Sequence, residues 1–237
     1  MSEVTRGPPS HAPERAIDTS RHHATIVLVA TLFSYCIPTD DGAAPNPYWG
    51  VCSLAICKPK IRKKARLHDW IAGTGSKNSP IGDISNRIVY TMRVTRRVTM
   101  RDYDRIGRTE LPGKIPDWES TDVRRRVGDS IYDFSTNPAT IRRSVHDERN
   151  RKRDLSGEYV LLSTHFYYFG ERAIELPLHL RPIIKAGQGH KRIDDTELVQ
   201  QFVAWIEALD IVCAEPIGGP QCTDLEKRCV LDEDDDE

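Results

Sequence analysis

The sequence is poor in cysteine, and its cysteines lack the short-spaced pairs that metal sites require. Six cysteines are spread over 237 residues, too few and too scattered for a small disulfide-stabilised scaffold. A structural zinc site needs two close cysteine pairs, or one pair together with two histidines, and neither pattern occurs. Cofactor fingerprints such as a P-loop are missing as well. We therefore predict free thiols, no metal and no recognisable cofactor.

Long hydrophobic runs are also scarce. The most apolar stretch, residues 24–37, contains 14 residues, fewer than the ~20 that span a bilayer. Polar and acidic residues precede this stretch and no small-residue cleavage site follows it, which argues against a signal peptide. The sequence predicts a cytoplasmic protein with free thiols and no membrane partner.

An excess of charge of either sign is lacking too, since 34 basic residues stand against 35 acidic ones. This balance hides a segregation, because residues 232–237 are all acidic and leave a modest positive excess on the rest of the chain. Such an excess fits a polyanionic partner, although it is far below a histone-like composition.

Apolar patterning divides the chain into one folded domain between two tails. Residues 1–23 are rich in Pro, Ser, His and Arg and predict a disordered arm. The Gly-Gly-Pro sequence and the acidic run within residues 217–237 predict a disordered acidic tail. The remaining residues, 24–216, are of a size that one domain can fill.

Inside this domain, short β-like segments outnumber helical ones. Within residues 88–98, alternation predicts one apolar and one polar face. Runs of apolar and β-branched residues bounded by Gly, Pro or Asp predict strands at 25–35, 50–56, 70–73, 88–98 and 158–169.

Two segments have helical periodicity. Residues 196–209 predict an amphipathic helix that begins after Asp194, and residues 100–106 predict a helix capped by Thr99. The arginine-rich residues 112–157 are expected to form long loops. Many short strands with few helices predict an α+β fold, built on a mixed, mainly antiparallel sheet or a partly open β-barrel, with a C-terminal amphipathic helix.

Two segments of the sequence suit a nucleotide. Prolines on both sides of Asn46 restrict the backbone, so that Asn46 and Trp49 can meet a ligand; the alternative is an ordinary turn whose aromatic side chains cover the core. Residues 58–66 contain six basic side chains in nine positions, which suits phosphate contacts, although such runs are more often solvated loops.

Further candidates are weaker. The Gly-rich residues 73–77 could hold a phosphate with backbone amides and a lysine, or could form a plain hairpin turn. Cys52 or Cys57 is a candidate nucleophile, with His165 and His190 as candidate acid/base groups. The alternative for a histidine in an aromatic strand is a hydrogen-bonded core residue.

Taken together, these segments resemble one known family. The matching pieces run in order through the body: APNP at 44–47, CKPKIR at 57–62, DWIxGTGSK at 69–77, RIVYxMxV at 87–94, GDxIY at 128–132, HFYYFG at 165–170 and GxGH at 187–190. In combination they are similar to the second type of nucleotide modification associated domain, over residues 25 to about 209.

The resemblance implies a place in bacterial or phage systems that make or handle modified bases. One implied partner is nucleic acid or a nucleotide, with either a plain or a modified base. The other implied partners are further enzymes of a base-modification system. The order of basic run, strands and capped helix also resembles small barrels of the PUA/EVE/ASCH type, in which a pocket holds a flipped or free base between aromatic side chains.

Three functions therefore stay open at the level of sequence. A binding module would stack a base in an aromatic pocket beside the basic run, a modification enzyme would use Cys52 or His165 for covalent or acid/base chemistry, and a scaffold subunit would do neither. The predicted binding residues are Asn46, Trp49, Lys58, Lys60, Arg62, Trp70, Thr74, Gly75, Ser76, Lys77, Arg87, Tyr90, Arg93 and Tyr168.

Overall fold

The computed structural model describes residues 30–225, and within them short strands outnumber helices. In chain order the strands are β1 (Leu32–Ile37), β2 (Cys52–Leu54), β3 (Trp70–Gly75), β4 (Arg87–Arg93), β5 (Arg96–Thr99), β6 (Tyr132–Asp133), β7 (Thr140–Ile141), β8 (Tyr159–Ser163), β9 (His165–Tyr168), β10 (Ile174–Glu175) and β11 (Lys191–Ile193). The helices are α1 (Pro59–Lys64), α2 (Met100–Thr109), α3 (Val123–Arg126), α4 (Arg151–Leu155) and α5 (Thr196–Glu207), with 3-10 turns at 112–114, 148–150, 170–172 and 178–183.

The strands form three separate sheets. The largest has the order β10–β4–β3–β1–β11, with β9 also paired to β4, and the others are β2–β8–β5 and β6–β7. Only β1 and β3 run parallel among the described pairs. The predicted α+β fold with a mainly antiparallel sheet is confirmed, and no sheet of residues 30–225 closes into a barrel.

Both predicted helices are confirmed, and their first turns show why they begin where they do. The Thr99 side chain accepts a hydrogen bond from the Asp102 amide at 3.1 Å and caps α2. Asp195, one residue later than predicted, caps the C-terminal helix α5 by accepting from the amides of Glu197 and Leu198. A side-chain oxygen at this position satisfies amides that have no partner within the helix.

The strand pairs β4–β9 and β5–β8 follow each other along one antiparallel ribbon, which links the two larger sheets. Its register is continuous, since Arg93 lies opposite His165 and Arg96 opposite Leu162, but the ribbon bends where the chain leaves one sheet for the other. The sequence predicted uninterrupted strands at 88–98 and 158–169. The structure instead breaks them after Arg93 and at Thr164, because each half packs in a different sheet.

Three apolar clusters hold these layers together. One fills the space between the large sheet and the β2–β8–β5 sheet with α1, a second lies under α5 and the 178–183 turn, and a third packs α2 and the 123–145 region on the far side of β8. The large sheet is therefore covered on both faces. For this reason the polar face predicted for residues 88–98 is wrong for β4, where Thr91 is fully buried.

The edges of the folded body differ from the predicted ones. Residues 217–225, assigned to the tail by sequence, pack on the body: the Ile217 amide donates to Tyr168 O, the Cys222 amide donates to Asp40 O, and Leu225 is buried. The arm at 1–23, the start of the first predicted strand at 25–29 and the acidic run lie outside the described residues. None of the helices in 30–225 has the length and apolar character needed to cross a bilayer.

Candidate active site

The turn between β2 and α1 has a strained backbone. Cys57 and Lys58 adopt φ angles of 56° and 39°, the left-handed region that costs a residue with a side chain roughly 1–2 kcal/mol. Strained strand-to-helix turns are a known way to expose a nucleophile, and strain of this kind clusters at functional sites. Cys57 is half-buried here, at the edge of the body and not in its core.

Two side chains from distant parts of the chain meet this cysteine. The Cys57 sulfur lies 3.5 Å from Nε2 of His146, and Nδ1 of the same ring lies 2.6 Å from Oδ2 of Asp154. Asp154 also accepts a hydrogen bond from the Cys57 amide at 2.9 Å through its other oxygen. The result is a line of thiol, imidazole and carboxylate, with the carboxylate fixed to the backbone of Cys57.

Further polar groups keep this line in place. The Tyr132 hydroxyl donates to Asp154 Oδ2 at 3.0 Å. The wholly buried Arg62 guanidinium donates to the carbonyls of Cys57 and Tyr159, both at 2.8 Å, and to that of Asp154. Since these partners come from α1, α4, β6 and β8, the site is held by rigid elements, as a preorganised site requires.

The imidazole and the carboxylate of the line stabilise each other as an ion pair. Burial tends to lower the pKa of His146, but the neighbouring Cys57 and the hydrogen bonds that the ring makes to Asp154 and Cys57 outweigh burial and raise this pKa to about 10. Burial tends to raise the pKa of Asp154, and the bond to His146 reverses this and lowers it. The imidazole is thus a cation near neutral pH, 3.5 Å from the Cys57 sulfur.

Cys57, His146 and Asp154 could also hold a metal ion, because one possible ligand atom from each lies within 4.8 Å of the other two. Both Asp154 oxygens already accept hydrogen bonds from the protein, and one of the two imidazole nitrogens is bonded to Asp154. An ion here would meet the Cys57 sulfur, Nε2 of His146 and at most the remaining lone pair of Asp154 Oδ1, whereas a structural zinc takes four protein ligands. The donor set therefore fits a hydrogen-bonded line better than a structural metal centre.

A second polar network lies close by and is sealed from solvent. The fully buried Lys114 ammonium donates to Asn46 O, Asn46 Oδ1 and Val51 O at 2.9, 2.7 and 2.6 Å. Asp129 accepts from the hydroxyls of Ser53 and Tyr103, each at 2.6 Å. Burial, offset in part by Asp129, lowers the pKa of Lys114 to about 8. This network anchors the 44–47 loop to the protein interior.

Comparison with known proteins identifies the family. The model of nucleotide modification associated domain 2 matches residues 29–224. The chain belongs to this family. Neither the curated proteins nor the solved structures yielded a match. Membership places the protein in the context of nucleotide modification, as the motifs at 44–47, 57–62 and 165–170 predicted, and it leaves the reaction open.

The aromatic pocket predicted for this family member is not assembled. Trp70 packs with Phe202 under α5, while Tyr90 and Tyr168 are buried in the cluster between the two larger sheets. Trp49 is the exception, because it is 40% exposed, with the guanidinium of Arg124 5.5 Å from its ring. Side chains with no exposed surface cannot stack on a base, so these three aromatic residues are core residues.

Other predicted binding residues separate into buried and exposed groups. Asn46 is wholly buried and holds Lys114, and Arg62 is wholly buried and holds three carbonyls, so neither reaches a ligand's edge or phosphate. Thr74 and Gly75 lie within β3 and do not form a turn, and Thr74 donates to Tyr35 O. Accessible positions are Lys58, Lys60, Ser76, Lys77, Arg87 and Arg93.

The catalytic candidates change as well. Cys52 is fully buried, and burial raises the pKa of its thiol, so it is not a nucleophile in the folded protein. His165 packs edge-on against Trp70, with ring centroids 5.4 Å apart, and His190 packs against Phe33 at 6.1 Å. Sequence inspection named Cys57 but missed His146 and Asp154, since both lie in the arginine-rich region that carries no catalytic motif.

Proposed function

We propose that this family member is a cysteine-dependent enzyme that acts on a nucleotide or its base, with Cys57 as the nucleophile. The observation that supports this is the line from Cys57 through His146 to Asp154, set on a strained turn and held by buried partners. Nucleophilic cysteines in enzymes work in this arrangement, in which the histidine acts as acid and base and a third group orients it.

The chemistry of the line assigns a role to each member. The Cys57 thiolate attacks an electrophilic carbon of the base or of its substituent and forms a carbon–sulfur bond. The His146 imidazolium gives its Nε2 proton to the leaving group as the bond to that group breaks. Neutral His146 then takes a proton from water or a second substrate, whose attack on the same carbon releases the thiolate. Asp154 keeps Nδ1 protonated and the ring in place throughout.

A second function, binding without catalysis, has one observation in its favour. The basic side chains of Lys58 and Lys60 lie next to the nucleophile on an accessible surface, where they suit a nucleotide or a nucleic acid. In either case the expected partners are nucleic acid or nucleotides, and other enzymes of a modification system. The cytoplasm, where thiols stay reduced, suits a cysteine enzyme.

Selective alkylation of the folded protein tests the nucleophile. The chain provides its own controls, because Cys213 is exposed and Cys52 is fully buried. We expect iodoacetamide at mildly acidic pH to modify Cys57 at least about tenfold faster than Cys213, since an ordinary thiol is mostly protonated there. Peptide mass spectrometry after short exposure gives both rates in one sample.

The variant His146→Gln separates a reactive cysteine from an accessible one. Its Cys57 should lose the rate advantage over Cys213, while Cys213 itself should react as in the parent protein. Equal rates for the two cysteines in the parent protein would refute the proposed nucleophile. Circular dichroism melts of the variant show whether it is folded.

A further inference from the structure

The surface beside Cys57 collects basic side chains on one face of α1. Lys60 and Lys64 are exposed and stand four residues apart, so they share a side of the helix. Lys58, at the start of the same helix, places its ammonium 5.0 Å from the centroid of the Tyr35 ring. Tyr35 therefore marks the point of the large sheet over which the Lys58 side chain lies.

His190, which is far from α1 in the chain, lies beside the same part of β1. In the antiparallel pair of β1 and β11, Ser34 lies opposite Lys191, and continuing that register by one residue brings His190 level with Tyr35. The His190 ring also lies 6.1 Å from Phe33, which faces the same side of the sheet as Tyr35. This placement agrees with the pKa of His190, which burial and the charges of Lys64, Lys60 and Lys58 lower.

These basic groups have no acidic neighbour to neutralise them. Within residues 30–225, no carboxylate lies within ion-pair distance of Lys58, Lys60 or Lys64, whereas Lys63 on the same helix pairs with Glu158. Like charges held together raise the free energy of the folded protein. A bound anion would remove that cost, and lysine ammonium groups are common partners of phosphate.

We propose that Lys58, Lys60, Lys64 and His190 bind the phosphate of the substrate whose base Cys57 attacks. This inference rests on the proposed function and names the substrate class: a phosphate-bearing nucleotide, free or within a strand, and not a free base or nucleoside. Lys58 is adjacent to Cys57 in the chain, so a nucleotide anchored here by its phosphate has its base within reach of the nucleophile.

Calorimetric titration of the full chain tests the phosphate site. The probes are inorganic phosphate, the common deoxynucleosides, their 5′-monophosphates and a short single-stranded oligonucleotide. In the parent protein we expect monophosphates to bind at least about tenfold more tightly than the matching nucleosides, because hydrogen bonds to charged groups are worth that much or more. Tighter binding of the oligonucleotide than of any monophosphate would identify a strand as the source of the phosphate.

Charge removal on one helix provides matched variants. Lys60→Gln with Lys64→Gln should weaken monophosphate binding about tenfold and leave nucleoside binding unchanged, whereas Lys63→Gln, the control, should change neither. Equal binding of nucleosides and monophosphates in the parent protein, or equal losses in both lysine variants, would overturn the phosphate site. Cys57 alkylation reports independently on the nucleophile, so a failure of the proposed function can be told apart from a failure of this inference.

Discussion

Two polar networks of this protein have similar components but differ in exposure to solvent. The Lys114–Asp129 network and the Cys57–His146–Asp154 line each hold a buried carboxylate near a cationic group. In the first, the ammonium has three oxygen partners and is cut off from solvent. In the second, the chain of bonds ends at a half-buried sulfur. The ammonium of Lys114 has all its partners inside the protein, which indicates a structural role. The Cys57 sulfur is partly accessible to solvent, which suits a role in chemistry.

Two cysteines only five positions apart show the same contrast. Cys52 is in a strand with no exposed surface, where burial raises the pKa of its thiol. Cys57 stands just beyond that strand, on the left-handed turn beside an imidazole. The two residues are of the same type, and they differ in exposure because Cys52 lies within β2 and Cys57 lies beyond its end.

Removing the buried ammonium should damage stability most. Lys114→Met leaves Asp129 buried without its nearby positive charge and takes one donor from each of three oxygens, of which the two of Asn46 keep the amides of Ser53 and Tyr48. We expect a loss of about 3–5 kcal/mol in the free energy of unfolding. Urea denaturation measures this loss. The double variant Lys114→Met with Asp129→Asn should recover part of it, and a loss below about 1 kcal/mol in the single variant would contradict a structural role.

The same lysine should make stability depend on alkaline pH. Its pKa is lowered from 10.5 to about 8 in the folded protein, so between these pH values the unfolded chain holds a proton that the folded chain does not. The free energy of unfolding therefore gains with rising pH through this window, by on the order of 2–3 kcal/mol from this group. Urea titrations across the window should show that gain as a difference between parent and Lys114→Met, and parallel curves would count against it.

Two aspartate variants should differ in the rate at which Cys57 is alkylated, because only one of the two aspartates belongs to the Cys57–His146–Asp154 line. Asp154→Asn removes the carboxylate that orients His146, and we expect the rate of Cys57 alkylation at mildly acidic pH to fall about tenfold or more, since the thiolate loses its support. Asp129→Asn, in the sealed network, should leave that rate unchanged in protein that remains folded. Similar rates in both variants would mean that the line does not activate the sulfur.

Replacing Cys57, the proposed nucleophile, should change stability least. Cys57→Ser keeps the size of the side chain at a half-buried site, and residues retained for chemistry contribute little to folding. We expect the free energy of unfolding to change by less than about 1 kcal/mol. A thermal melt and a urea curve suffice to measure the change, and a loss as large as that of Lys114→Met would assign Cys57 to the structural class.

Local patterns in the sequence were enough for the elements whose cause is local. Thr99 caps α2 because a hydroxyl reaches an amide three residues on, and the periodicity of residues 196–209 produced α5. Alternation failed at β4, because packing on both faces depends on elements that are far away in the chain. The family motifs pointed to nucleotide modification, which the family match confirms.

The site depended on tertiary structure. The sequence alone determined an α+β body, two helices, the Thr99 cap and a family. It did not separate Cys52 from Cys57, and it did not connect Cys57 with His146, which is 89 positions away, or with Asp154, which is 97 away. No spacing rule relates residues at such distances, because their approach is set by how α1, α4 and the loop after β7 pack around the β2–β8–β5 sheet. Burial was decided in the same way: Asn46, Arg62 and Tyr168 have the chemistry of ligand-binding residues, but the fold uses their hydrogen bonds inside the protein.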